Sequence, residues 1–258
     1  MNNTAHFDDI PAQASQVQKV TFLQPVEWIR MGWEDLKHHR AASIAYGFLV
    51  AGLGLVILLF TTTHIYLMAA AVSGFLLIGP IMATGLCELS RRRGLNASIS
   101  FDDSLEGLGR NYRALWRFAA ALLAISLIWF LFAGLLLQSL FQQSTPTLAE
   151  MAYGGVLENL TILQLVFYIS AGGVLAFLVF ALSVVSVPAI IDQTTLTAGE
   201  AMKLSIRVVA ANIPAMVMWA ALIVGLTAIG FLTVLLGLII IYPLLGHATW
   251  YAYRDLVR

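Results

Sequence analysis

The ionisable residue with the most unusual setting in this sequence is His247. It lies in Gly246-His247-Ala248-Thr249-Trp250, near the end of an apolar run from Ile213 to Tyr253 that carries no Asp, Glu, Lys or Arg before Arg254. An imidazole in such a place can ligate, relay a proton, or pack with both ring nitrogens hydrogen-bonded. Haem and copper sites need two or more clustered ligands. His64 falls at the opposite end of the apolar runs, and His38 and His39 sit in a charged patch, so no metal and no cofactor is expected. Two carboxylates share the placement of His247: Glu88 follows Pro80, Asp192 follows Pro188, and His247 itself follows Pro243. A proline inside a spanning helix frees a carbonyl and permits a kink. Three kinks at matching depth would frame a ligand-binding cavity lined by Pro80, Pro188, Pro243, Glu88, Asp192 and His247. The plainer reading makes the prolines helix ends and His247 a packed core residue. Glu88 stands three and four residues before Arg91 and Arg92, the spacing of a solvated helical ion pair. Arg91, Arg92 and Arg93, with Arg110 and Arg113, form a basic set suited to anionic headgroups and to fixing topology. The single cysteine, Cys87, excludes an internal disulfide and reads as a buried apolar residue. Phosphate-loop, dinucleotide-binding, zinc-protease and serine-hydrolase motifs are all missing, so no catalytic residue is assigned and an enzyme is not expected.

The elements that must position these residues are membrane helices. Of 258 residues 60% are hydrophobic and 11% charged, and the net charge is zero. That composition excludes a soluble globular domain, a disordered chain and a nucleic-acid binder. Six runs have the length and polarity of a spanning helix: Ala41–Phe60, Ile65–Leu86, Leu115–Leu137, Ile162–Val187, Ile213–Ile229 and Phe231–Trp250. The last two are divided at a hairpin near Gly230, because one helix over that length would reach about 60 Å, twice the hydrocarbon thickness. With six spans, all 14 Lys and Arg fall on one side, which predicts cytoplasmic termini. The longest outer loop, Gln138–Thr161, carries Glu150 and Glu158 and a sequon at Asn159. Residues 1–21 form a polar tail without a cleavable leader, so the first span acts as the insertion signal.

The chain also reads as three repeats, about residues 22–100, 101–197 and 198–258. Each opens on an amphipathic helix and continues as an outward helix, a turn and a return helix. Phe22, Val26, Ile29, Trp33 and Leu36 share one helical face in the first unit. Leu105, Leu108, Tyr112 and Leu115 do so in the second, and Met202, Ile206, Val209 and Ile213 in the third. Such helices suit a cytoplasmic lipid surface. The fold class expected is all-α: a polytopic bundle of six transmembrane helices in three hairpins, each hairpin preceded by an amphipathic helix.

Four segments carry a family resemblance: Gly32-Trp33-Glu34-Asp35-Leu36, Gly85 to Arg92 after Pro80, Ser186-Val187-Pro188 through Asp192, and Gly246 to Val257. Together they resemble a bacterial family of integral membrane proteins, the "domain of unknown function 2189" family, over about Phe22 to Arg258. The chain departs from the pattern at Cys87, where an aromatic is commoner, and at Tyr251, where His is commoner. The resemblance implies the inner membrane of a Gram-negative bacterium and implies no activity. Packing-prone Gly- and Ala-rich helices without buried charge point to a non-catalytic accessory or assembly subunit, whose partners are the bilayer and other membrane subunits or further copies of itself. The alternative is a small-molecule or lipid carrier with a cytoplasm-facing cavity between the hairpins.

Overall fold

The computed structural model describes residues 16–61, 65–95, 100–140 and 161–257. Within them the chain is helical: α1 (Gln24–His38), α2 (Arg40–Thr61), α3 (Ile65–Gly94), α4 (Phe101–Arg110), α5 (Tyr112–Leu140), α6 (Ile162–Ser183), α7 (Ser186–Asp192), α8 (Ala198–Ala211), α9 (Ile213–Leu232) and α10 (Leu238–Leu256). Among the described residues no strand forms, apart from an isolated antiparallel bridge between Val17 and Val257. Most of the expected tail, His64, residues 141–160 of the expected outer loop with Glu150, Glu158 and Asn159, and Arg258 lie outside the described residues.

Local chemistry sets the helix starts. Capping boxes open α4 and α8: the Asp103 amide donates to Ser100 Oγ and the Glu200 amide to Thr197 Oγ1, and each carboxylate accepts the cap residue's own amide. Proline occupies the first turn of α1 and of α9, where a missing amide costs nothing.

Among the described residues four stretches are long and apolar enough to cross a bilayer: Arg40–Leu59, Tyr112–Phe132, Ser170–Asp192 and Ile213–Leu232. They coincide with the first, third, fourth and fifth expected spans. The second and sixth are present as helices α3 and α10. α10 is polar towards its end, with His247, Thr249, Tyr251, Tyr253, Arg254 and Asp255 in its last three turns. It packs against α1, α2, α3 and α9 and is buried along most of its length.

The hairpin between α9 and α10 falls later than the sequence suggests. α9 runs through Gly230 to Leu232, and the turn spans residues 233–237. Thr233 decides the position. Its Oγ1 accepts from the Gly237 amide at 2.8 Å and donates to the Gly230 carbonyl at 2.9 Å, closing a turn that is otherwise apolar. Val234 and Leu235 hold φ of 52° and 68°, a left-handed conformation that side-chain-bearing residues adopt at a cost.

The prolines behave differently from one another. Pro188 lies in the first turn of α7, one turn after α6 has stopped at Ser183 and the chain has turned at Val184 and Val185. The return helix is therefore broken there and restarts. Pro243 lies inside α10, where it deprives the Ile239 carbonyl of its helical donor. That carbonyl is covered by α2: a Cβ on Gly47 would overlap it. Gly32 of α1 also packs tightly on α10, though less closely, since a Cβ there would stand 2.8 Å from the Leu244 oxygen and the Ala248 nitrogen. Pro80 is inside α3.

The three short amphipathic helices face the bundle with small and polar groups and, in α1 and α8, with some apolar ones, and turn other apolar groups outward. In α1 the inward residues are Pro25, Trp28, Gly32, Asp35 and Leu36, while Val26 and Trp33 are exposed, as is Phe22 just before the helix. In α4 Ser104 and Gly107 face inward, and Leu105 and Leu108 outward. In α8 Ala201, Leu204, Ser205 and Val208 face inward and Ile206 outward. The expected apolar stripes thus divide: Phe22, Val26, Trp33, Leu105, Leu108, Tyr112, Ile206 and Ile213 are exposed, whereas Leu36, Leu115 and Val209 enter the core. Exposed apolar stripes beside a charged end are the arrangement of helices lying along a membrane interface.

Candidate functional site

The charged side chains converge on one end of the bundle, where α2, α5 and α9 begin and α3, α7 and α10 end. His247 is its centre. Its ring is fully buried, with Nε2 2.8 Å from Ser43 Oγ of α2 and Nδ1 2.8 Å from Ser90 Oγ of α3. Asp35 of α1, also fully buried, places Oδ2 4.0 Å from the same Nδ1. Its Oδ1 accepts from the Tyr251 hydroxyl at 2.9 Å and pairs with Arg93, and Oδ2 has no hydrogen-bond partner. Four helices thus meet through one imidazole, one carboxylate, one guanidinium and three hydroxyls.

A second cluster lies beside it on α3. Glu88 is fully buried and accepts two bonds from Arg91, at 2.7 and 2.6 Å, and one from Arg92 Nε at 3.1 Å. Hydrogen bonding to Glu88 holds the Arg91 guanidinium above its ordinary value. Arg92 continues to Asp103 of α4 at 3.0 Å and to Glu106. Ser100 hydrogen bonds, with Arg92 adding its charge, keep Asp103 below the usual carboxylate range. Arg110 Nε lies 4.0 Å from Glu88 and donates to the Ile191 carbonyl at 2.7 Å, which ties α4 to α7. The ion pair has the expected spacing but not the expected solvation: Glu88 is sealed in, so the pair binds α3, α4 and α7 together.

Asp192 accepts from the Tyr253 hydroxyl at 2.9 Å, and Gln193 donates to the same oxygen at 3.1 Å. Asp255 accepts from Gln24 and from the Trp28 indole, both at 2.8 Å. Trp28 in turn meets Trp219 edge-on at 5.6 Å. Before α1, the Gln18 amide donates to the Leu256 carbonyl and the Val20 amide to Asn212 Oδ1, both at 2.9 Å.

The structure therefore brings His247 close to Asp35, and places Glu88 with Arg91, Arg92 and Arg110. It places Asp192 on Tyr253, where its charge also acts on Arg91. Pro188 and Pro243 are buried in packed helices. Arg113 is exposed, with its guanidinium 5.7 Å from the centre of the Tyr112 ring. Asp35, Ser43, Ser90 and Tyr251 were not singled out as site residues from the sequence. Asp35 had a signal, being a carboxylate on the inward, Gly32-bearing face of an amphipathic helix. The two serines had none, because serine is ordinary in membrane helices. Among the described residues no three His, Cys, Asp or Glu side chains are grouped so as to hold a metal ion.

This arrangement of long apolar helices with one polar, ion-paired end defines a polytopic helical membrane protein. Residues 67–192 match the model of a family described as "Predicted integral membrane protein (DUF2189)", as the resemblance in sequence implies. No curated protein and no solved structure matches the chain.

Proposed function

We propose that this protein is a non-catalytic accessory or assembly subunit of a larger complex in a bacterial inner membrane. It crosses the bilayer six times as three hairpin units, with both termini in the cytoplasm. The recurring order of one short and two long helices (α1–α2–α3, α4–α5–α6, α8–α9–α10) supports the three units. The exposed apolar stripes on α1, α4 and α8 support their place at the cytoplasmic interface. The observation that carries the accessory reading is the state of His247: fully buried, with both ring nitrogens on serine hydroxyls. A carrier reading needs His247, Pro188 and Pro243 on an open cavity, and all three are buried in helix contacts. The groups that could do chemistry are spent on joining helices, while long apolar faces of α5, α6 and α9 remain outward. In a membrane such faces meet lipid or a partner helix. Native mass spectrometry of the tagged protein, extracted from its own membrane in lipid nanodiscs, tests this. Other subunits in fixed stoichiometry are expected. A lone chain or homo-oligomer that retains a small molecule would replace this reading with the carrier.

A further inference from the structure

The outward face of α5 has two chemically distinct parts. Tyr112, Arg113, Trp116 and Arg117 are exposed side by side in its first two turns, Trp116 to 71%. The same side of the helix continues as Ala120, Leu123, Leu127 and Leu131, all exposed as well. At the charged end of the molecule the face therefore carries two guanidiniums and two aromatic rings. Beyond them it is apolar, and from Arg117 to Leu127 it runs about 15 Å, half the hydrocarbon thickness of a bilayer.

No carboxylate answers the two charges. α5 contains no Asp or Glu. Among the described residues neither Arg113 nor Arg117 forms an ion pair, and Arg113 Nε donates to the Tyr112 hydroxyl at 3.1 Å. On α4, Asp103 and Glu106 hold Arg92, and Asp102 sits in the first turn, at the end away from α5. The other arginines that the sequence offered to headgroups are committed: Arg91, Arg92 and Arg110 to Glu88, and Arg93 to Asp35. Of the three long helices that begin at this end, α5 alone joins exposed cations to exposed rings. α2 opens as Arg40-Ala41-Ala42-Ser43 and α9 as Ile213-Pro214-Ala215, and the next rings along them, Tyr46 and Trp219, are buried.

We propose that this face binds an anionic phospholipid. Arg113 and Arg117 hold the phosphate, Tyr112 and Trp116 flank the glycerol region, and an acyl chain lies along Ala120, Leu123 and Leu127. A guanidinium offers paired N–H groups that match phosphate oxygens. Indole and phenol rings settle at the level of the headgroups. The apolar stripe below them is one leaflet deep, which suits a chain. A free phosphate would use the arginines and leave the rings and the stripe without a role, so the face as a whole fits a lipid. This assignment goes beyond the accessory reading and does not depend on it.

The test uses the full chain in nanodiscs of phosphatidylcholine with a graded fraction of phosphatidylglycerol, and native mass spectrometry counts the lipid retained. The wild type should keep phosphatidylglycerol in preference to phosphatidylcholine. Arg113→Gln and Arg117→Gln, both at exposed positions, should each weaken that retention about fivefold, the contribution of one cation at an anionic surface. Lys37→Gln, which removes an exposed cation of α1, should leave it unchanged. In discs of phosphatidylcholine alone, calorimetry with inorganic phosphate should show no saturable binding. Photo-crosslinking from Ala120 in the native membrane should give a lipid adduct. Equal retention of the two lipids would overturn the proposal. So would equal weakening by Lys37→Gln, which is the response of general surface charge. Saturable binding of inorganic phosphate would give the arginines to a soluble anion, and a protein adduct at Ala120 would give the face to a partner helix; either would overturn the lipid assignment.

Discussion

The substitution Gly47→Ala tests how the proline in α10 is accommodated. Pro243 leaves the Ile239 carbonyl without a donor, and α2 covers it by bringing Gly47 against it. An added methyl would overlap that carbonyl, which is backbone and cannot rotate away. An ordinary C···O contact is about 3.3 Å or more, so α2 and α10 would have to separate by more than half an ångström. A gap of that size forfeits roughly a quarter to a half of the dispersion energy at each facing contact. Overpacking of this kind costs about 1–3 kcal/mol, against a gain in helix propensity of up to about 1 kcal/mol. Gly52 lies on the same helix and has nothing within 4 Å of a built Cβ, so Gly52→Ala collects only the gain. Both variants share that gain, so at about 2–4 °C per kcal/mol for a chain of this size the overpacking cost should make Gly47→Ala melt roughly 2–12 °C below Gly52→Ala. The assay is thermal unfolding in detergent, read by the fraction that stays monodisperse on size exclusion. Equal melting temperatures for the two variants would refute the close crossing of α2 and α10.

Three further outcomes follow from the polar end. Glu88→Ala strips two half-buried arginines of their carboxylate and should cost about 3–5 kcal/mol, seen as loss of monodisperse protein; an unchanged melting temperature would show that α4 and α7 are held by other contacts. Trp28→Phe removes the indole bond to Asp255 while keeping most of the apolar volume, and should cost about 1 kcal/mol, measured by denaturant or thermal midpoint. Burial, with a further contribution from His38, holds the His39 imidazole below its ordinary value of 6.5. The unfolded chain then takes up the proton first, so the contribution of His39 to stability is complete above 6.5 and declines as pH falls from there towards the folded value. In a zwitterionic detergent, His39→Gln should flatten that part of the melting profile.

The membrane class and the helical fold were legible because a spanning helix must satisfy its backbone internally and needs a long apolar run. The family resemblance was legible as well. The polar end was only half legible. Glu88 and Arg91 advertise an ion pair by spacing, yet spacing is silent on burial, and the pair is sealed by α4. His247 stood out because ionisable residues in apolar runs are rare, whereas its partners Ser43 and Ser90 are common residue types from distant parts of the chain. Glycine is the usual turn signal, and Gly230 marks the hairpin on that ground. The side chain of Thr233 closes the turn instead, and it does so with Val234 and Leu235 in left-handed backbone, which nothing in their residue types announces. The apolar stripes of the amphipathic helices were visible by period, but a period cannot say whether a stripe faces the core or the lipid.

The accessory reading is tested most directly in the native membrane by photo-crosslinking from exposed apolar positions on three helices: Trp116 of α5, Val174 of α6 and Val224 of α9. The account predicts that at least one of these helices gives a single reproducible protein adduct, identified by mass and present at high yield. Adducts to lipid alone from all three positions would contradict it.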